Sequence, residues 1–124
     1  MNAGDVLRFQ YSSHLWVVIS DPAKDRGSVL LANFSSIKSG VQCDPACILN
    51  PDDHEYIRKP TFVYYRHAQV LSDSELERRI SCGQASCPYP PVSAGVLKRI
   101  RDGASASRFI KRGHRQLLED QGLI

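Results

Sequence analysis

Three short runs of strand-forming residues occupy the first quarter of the chain, and they restrict the fold more than any other feature. The runs cover residues 6–9, 15–19 and 28–34, and polar loops separate them. The middle run is Leu-Trp-Val-Val-Ile, so a strand formed there must be covered on both of its faces. We therefore predict a small, strongly curved β-barrel in which residues 15–19 form the central strand.

Later segments predict two more strands and a first helix. Residues 47–50 form a short apolar run that a proline ends, and residues 61–70 are β-branched or aromatic at most positions. Ser72 is followed three residues later by Glu75, a capping box that predicts a helix over residues 73–80. The fold class is thus mainly β with α, and residues 1–81 form the barrel unit with its short capped helix.

The last third of the chain has a different composition. Residues 86–92 contain three prolines, which cannot donate backbone hydrogen bonds, so this arm is neither helix nor inner strand. Two short amphipathic helices are predicted after it, over residues 93–101, where Asp102-Gly103 ends the first, and over residues 108–121. We expect residues 82–124 to pack on the barrel, with contact to a partner as the alternative.

The composition is that of one small cytoplasmic domain. A chain of 124 residues with 42% hydrophobic content can bury one core. No apolar stretch approaches the roughly 20 residues that cross a bilayer, and the first residues lack the pattern of a signal peptide. We therefore expect a cytoplasmic protein that requires no cofactor.

The four cysteines leave a metal site open. In a reducing compartment they are expected to be thiols or metal ligands rather than disulfides. The spacing gives two pairs of closely spaced cysteines that together could bind zinc, although the residues within each pair are further apart than in the common zinc knuckle. We predict no metal and keep structural zinc as an alternative; the residues are Cys43, Cys47, Cys82 and Cys87.

Positive charge is concentrated near the end of the chain. The net charge is +3, yet residues 97–115 hold seven basic residues and a single acidic one, Asp102. Such a segment is attracted to phosphate or to an acidic protein surface, and a solvated helix face is the alternative. The basic residues that we select here as RNA-binding candidates are Lys98, Arg101, Arg108, Lys111 and Arg112.

Four motifs in a fixed order resemble the PemK/MazF-like plasmid-maintenance toxins. They are Gly4-Asp5-Val6, Val17-Val18-Ile19-Ser20, a strand that ends in Ser35-Ser36, and Lys59-Pro-Thr61-Phe-Val63. The resemblance covers residues 4–80. It implies an SH3-like barrel, a homodimer and cleavage of single-stranded RNA without metal, within a toxin-antitoxin system whose antitoxin would be a protein partner.

The sequence departs from that family at one functional position. Family members carry an arginine and a proline just before the Val-Val strand, where this chain has His14 and Leu15. Ser35 and Ser36 match the family's pair of hydroxyl residues. The departure changes which group would move the proton.

Histidine fits the chemistry of metal-free RNA cleavage. The reaction needs a base for the 2′-hydroxyl, an acid for the leaving 5′-oxygen and donors for the charged phosphorane. Because the imidazole pKa lies near neutrality, His14 and His54 are the candidates, and Arg58 and Lys59 are placed to hold phosphate oxygens.

The sequence therefore predicts a toxin-like endoribonuclease for single-stranded RNA. Its catalytic candidates are His14, Ser35, Ser36 and His54. The alternative is a non-catalytic SH3-like module that binds nucleic acid or a protein. Of the other histidines, His67 is expected in core or dimer packing, and His114 at the surface, kept neutral by neighbouring cations.

Overall fold

The computed structural model describes residues 1–124. The strands and helices, in chain order, are β1 (Val6–Phe9), β2 (Leu15–Val18), β3 (Val29–Ser36), β4 (Ile48–Leu49), β5 (Thr61–Leu71), α1 (Asp73–Ser81), β6 (Ala85–Ser86), α2 (Ala94–Ala106) and α3 (Arg112–Asp120). The prediction of a mainly β chain with helices is confirmed. No helix has both the length and the apolar character needed to span a membrane.

The six strands form one antiparallel sheet in the order β4-β5-β3-β2-β1-β6. β2 lies inside the sheet, between β1 and β3. The sheet is open, which differs from the closed barrel that we predicted. The two outermost strands, β4 and β6, have only two residues each and pair with β5 and β1 rather than with each other.

Apolar side chains cover both faces of the sheet, as the all-apolar run in β2 requires. Leu15 and Val17 belong to a cluster of 18 buried residues that also includes Ile100 of α2 and Leu118 of α3. Trp16 and Val18 belong to a second cluster of eight buried residues, which includes Leu76 of α1. The helices after the proline-rich arm thus share one core with the sheet.

Helix α2 extends further than the sequence predicts. Asp102-Gly103 was expected to end this helix, but the helix continues to Ala106. Gly103 is buried where α2 meets the sheet, and a β-carbon there would lie against the Tyr65 hydroxyl and 2.7 Å from Cys47 Cβ. The Tyr65 hydroxyl donates to the Ile100 carbonyl at 2.6 Å. This glycine therefore allows close helix packing and does not end the helix.

A large bulge in β5 interrupts its pairing with β3. Leu31 pairs with Gln69, whereas Asn33 pairs with Tyr64, so three extra residues are accommodated in β5. The bulged segment, residues 65–68, places Arg66 and its neighbour at the surface. Bulges of this kind redirect side chains and are frequent beside functional sites.

Candidate functional site

A polar cavity of about 200 Å³ lies where β2 begins and β3 ends. Three of the four predicted catalytic residues line it together, namely His14, Ser35 and Ser36. The remaining polar lining includes Lys38, Tyr56 and Thr61. None of these last three residues was predicted from the sequence, because each lies in a loop or at a strand end that becomes adjacent to His14 only through the fold.

The antiparallel pairing of β2 with β3 explains this arrangement. Since Trp16 pairs with Asn33, the start of β2 lies beside the end of β3. The turn before β2 is held by Ser12, whose Oγ accepts hydrogen bonds from the His14 backbone N–H at 3.2 Å and from Trp16 Nε1 at 3.1 Å. The His14 backbone is therefore fixed in position although its side chain is exposed.

His14 also lines a second, adjoining groove of about 390 Å³. Its other lining residues include Asn33, Arg66, His67 and Lys111. No carboxylate lines either cavity, so the positive charges of Lys38, Arg66 and Lys111 are not neutralised within them. Two cavities that share His14 and are lined by cations without carboxylates favour an anionic ligand.

His67 does not lie in the core, which was one of the two positions that we predicted for it; the other, dimer packing, stays a prediction. Its ring is exposed and stacks on the Tyr64 ring, with centroids 4.1 Å apart and planes 20° from parallel. Strict alternation along β5 would have placed His67 on the same face as buried Tyr65. The bulge breaks that alternation, and sequence alone gives no sign of it.

His54 lies outside both cavities, apart from the other three catalytic candidates. Its Nδ1 accepts from the Tyr56 backbone N–H at 3.1 Å, so Nε2 carries the proton and donates to the Pro90 carbonyl at 2.8 Å. The ring is 7% exposed and packs edge-on against Tyr89. With both nitrogens occupied, His54 attaches the proline-rich arm to the sheet and has no free nitrogen for proton transfer.

The predicted RNA-binding cations are dispersed. Lys111 is the one that reaches the groove of His14. Lys98 pairs with Asp102 at 2.8 Å, and Arg101 Nε donates to the Ile19 carbonyl at 2.9 Å, while burial lowers the pKa of Arg101. The remaining four are exposed and line neither cavity: Arg58, Lys59, Arg108 and Arg112.

The cysteines occupy separate environments. Cys47 is buried, and burial raises the pKa of its thiol to about 11, whereas Cys82 and Cys87 are exposed. No group of three or more histidine, cysteine, aspartate and glutamate side chains is close enough together to hold a metal ion. The zinc alternative therefore finds no ligand set in this structure.

Fold and site together define a small α/β protein with an open antiparallel sheet and a two-part polar groove that has histidines and no carboxylates. A comparison with protein-family models gives no match, and a comparison with curated proteins gives none either.

Proposed function

We propose that this protein is a metal-independent endoribonuclease for single-stranded RNA. The observation that carries the proposal is the joint position of His14, Ser35 and Ser36 in one polar cavity beside Lys38. An imidazole, paired hydroxyls and an ammonium group, with no competing carboxylate, suit a phosphodiester held for attack by its own 2′-hydroxyl.

In the proposed reaction, His14 takes the proton of the 2′-hydroxyl, and the 2′-oxygen attacks the adjacent phosphorus. The bond from phosphorus to the 5′-oxygen breaks, and the Tyr56 hydroxyl gives its proton to that oxygen. The products are a 2′,3′-cyclic phosphate and a free 5′-hydroxyl. Lys38 and the hydroxyls of Ser35 and Ser36 hold the phosphoryl oxygens as their charge increases.

Arg8 supports the role of Tyr56. The Arg8 guanidinium lies 5.8 Å from the centre of the Tyr56 ring. This cation–π contact helps to hold the Tyr56 ring at the edge of the cavity. Tyr56 is therefore the proposed acid, a role for which the sequence had offered His14 and His54.

Substitution of His14 tests the proposal. His14→Ala should lower the rate of RNA cleavage by about 10²- to 10⁴-fold, the range for removal of a general acid or base. The measurement is cleavage of a labelled single-stranded RNA in EDTA, with the cyclic phosphate identified by mass spectrometry. His114→Ala is the matched control, because His114 lines neither cavity. Intact RNA with wild-type protein, or equal cleavage by both variants, would contradict the proposal.

The resemblance to PemK/MazF-like toxins supplies the biological setting of this proposal. Under it the protein is the toxin of a toxin-antitoxin system, acts in the cytoplasm as a homodimer and is inhibited by a protein antitoxin, and its curved sheet is a variant of the SH3-like barrel. Growth arrest on induced expression, relieved by the product of a neighbouring gene, tests this setting independently of the chemistry.

A second candidate is a non-catalytic module that binds nucleic acid or a protein partner through the same groove. The histidine at the family's arginine position favours it. His14→Arg distinguishes the two functions, since it restores the family residue. If the wild type is inactive and the arginine variant cleaves RNA, the site is intact except for its catalytic group. If both proteins bind RNA and neither cleaves it, the protein is the non-catalytic binding module.

A further inference from the structure

Tyr56 lies in an irregular loop, so its place in the cavity depends on individual contacts. The loop of residues 54–60 leads into β5 and contains neither strand nor helix. The neighbouring Ile57 is 3% exposed and donates its backbone N–H to the His54 carbonyl at 3.0 Å, which anchors the loop in the core. Tyr56 itself is half-buried. A side chain on a loop keeps a precise position only where further contacts support it.

The His54 imidazole supplies such a contact and is itself oriented by the proline-rich arm. Its Nδ1 accepts from the Tyr56 backbone N–H at 3.1 Å, while its Nε2 donates to the Pro90 carbonyl at 2.8 Å. A carbonyl can only accept a hydrogen bond, so Pro90 fixes the tautomer that leaves Nδ1 as an acceptor for Tyr56. Because the ring is 7% exposed, water competes little with either bond.

The same arm packs a ring of its own against both residues. The Tyr89 ring lies edge-on to the His54 ring, with centroids 6.0 Å apart, and edge-on to the Tyr56 ring at 5.4 Å. The arm is attached on both sides of this contact, because β6 before it pairs with β1 and the Val92 N–H after it donates to the Gly4 carbonyl at 2.9 Å. The arm therefore holds its ring and its carbonyl in a fixed place beside the loop.

We propose that His54 is a positioning residue that holds Tyr56 in the cavity, and that the proline-rich arm fixes the tautomer of His54 for this task. The inference rests on the proposed function, in which Tyr56 gives its proton to the leaving 5′-oxygen. His54 does not touch the reacting atoms, and no residue of the arm lines the cavity. Both act by keeping Tyr56 within reach of that oxygen, and a displacement of about 1 Å at such a group can cost about 10²-fold in rate.

Two substitutions separate the tasks of the two His54 nitrogens. In His54→Asn the side-chain oxygen takes the place of Nδ1 and accepts from the N–H two residues on, as in an Asx turn. In His54→Gln the amide nitrogen takes the place of Nε2 and donates to the Pro90 carbonyl, but Tyr56 loses its acceptor. The rate of RNA cleavage should therefore fall by about 10- to 100-fold in His54→Gln and stay within about threefold of the wild type in His54→Asn.

A change of leaving group shows whether His54 acts on the proton donor. In uridine 3′-(4-nitrophenyl phosphate) the 2′-hydroxyl attacks the phosphorus as it does in RNA, but 4-nitrophenolate leaves without a proton. The loss in His54→Gln should therefore be confined to RNA, with the nitrophenyl ester cleaved within about threefold of the wild-type rate. An equal loss with both substrates would overturn the positioning role, because general damage to the site slows both reactions.

The wild-type protein provides a readout that depends neither on activity nor on the folding of a variant. The nitrogen resonances of the His54 ring should show a proton on Nε2 and none on Nδ1. The Tyr56 amide should also exchange with solvent about tenfold faster in His54→Gln than in the wild type or His54→Asn, the effect of losing one hydrogen bond.

A proton on Nδ1, or one exchange rate in all three proteins, would overturn the inference. Absent cleavage by a wild type that shows the expected resonances and exchange would overturn the proposed function and leave the contact between His54 and Tyr56 in place.

Discussion

Gly103 shows how one missing side chain determines the distance between a helix and the sheet. A β-carbon at this position would meet the Tyr65 hydroxyl, Cys47 Cβ at 2.7 Å and the Ala46 carbonyl at 3.1 Å. The Tyr65 hydroxyl ends a side chain that is fully buried and bonded to the Ile100 carbonyl, so it cannot move aside easily. The Ala46 carbonyl belongs to the backbone. The glycine is thus required by packing, although its backbone has ordinary helical geometry.

Gly103→Ala should therefore destabilise the protein by about 1–3 kcal/mol, the usual cost of overpacking a core. The free energy of unfolding in urea measures this. Gly95→Ala is the matched control in the same helix, because a β-carbon there meets nothing within 4 Å, and it should stabilise the protein by up to about 1 kcal/mol. Equal effects of the two substitutions would contradict this account.

His114 links stability to pH. Burial, and to a lesser extent the Lys111 ammonium, lowers the pKa of His114 below its ordinary value of 6.5, and its Nδ1 is buried without a partner. The unfolded chain therefore takes up a proton at a higher pH than the folded protein does. The stability that neutral His114 contributes is fully present above pH 6.5, and it declines as the pH falls towards the lowered pKa.

We accordingly expect His114→Gln to lose less stability than the wild type between pH 7 and pH 5. Urea unfolding of the variant and of the wild type across this range measures the difference. A variant with an unchanged pH dependence would show that His114 does not contribute to it. The sequence had indicated the neutral form of His114 through its cationic neighbours, but not its partial burial.

At the scale of elements, a buried carboxylate joins the loop after β3 to the end of α2. The Ser107 hydroxyl donates to Asp44 Oδ2 at 2.6 Å and accepts from the backbone N–H groups of Phe109 and Ile110. Asp44 Oδ1 accepts from the Ala46 N–H at 3.0 Å. Asp44 and Ser107 are 3% and 2% exposed, so water does not compete for these bonds.

Ser107→Ala should cost about 1.5–3 kcal/mol, the value of a buried hydrogen bond to a charged group. Amide hydrogen exchange should also quicken at Ala46, Phe109 and Ile110, because the joint that orders both segments is lost. Ser105→Ala is the matched control, since Ser105 is exposed in the same helix. Unchanged exchange at all three amides would contradict the proposed joint.

The elements also show what could be predicted from sequence. The apolar run of β2 and the aromatic run of β5 identified their strands, and the capping box at Ser72 located the start of α1. The proximity of His14 to the serine pair could be predicted from the sequence. Neighbouring antiparallel strands place the start of one strand beside the end of the other. The open ends of the sheet could not be predicted from residue type.

The β5 bulge explains why half of the groove was not predicted. Its three extra residues compensate for a shift in pairing with β3, which depends on the whole sheet and not on local preference. His67 and Arg66 reach the groove through that shift. Lys111 was selected for its charge, but its place beside His14 depends on the packing of α3. The sequence thus predicts the residues that one pair of neighbouring strands brings close together. It does not predict those that become neighbours only through the packing of several elements.

At the scale of the whole molecule, only part of the positive charge faces the groove. Each phosphate contact with single-stranded RNA adds about 0.7 to the slope of log affinity against log salt. Lys111→Ala should therefore lower that slope by about 0.7, while Lys98→Ala, which removes a lysine paired with Asp102, should leave it unchanged. Fluorescence anisotropy across a salt series measures the slope for each variant. Equal slopes in the two variants would show that RNA does not contact Lys111.

The two-residue edge strands have a consequence for how copies of this chain meet. β4 and β6 offer few free backbone donors and acceptors of their own, so a neighbouring copy gains little by pairing with either of them. β4 pairs only with Thr61 and Phe62, however, and the rest of β5 has no strand on that side. A second copy that extended the sheet by strand addition would therefore pair with β5 and not with the two-residue strands.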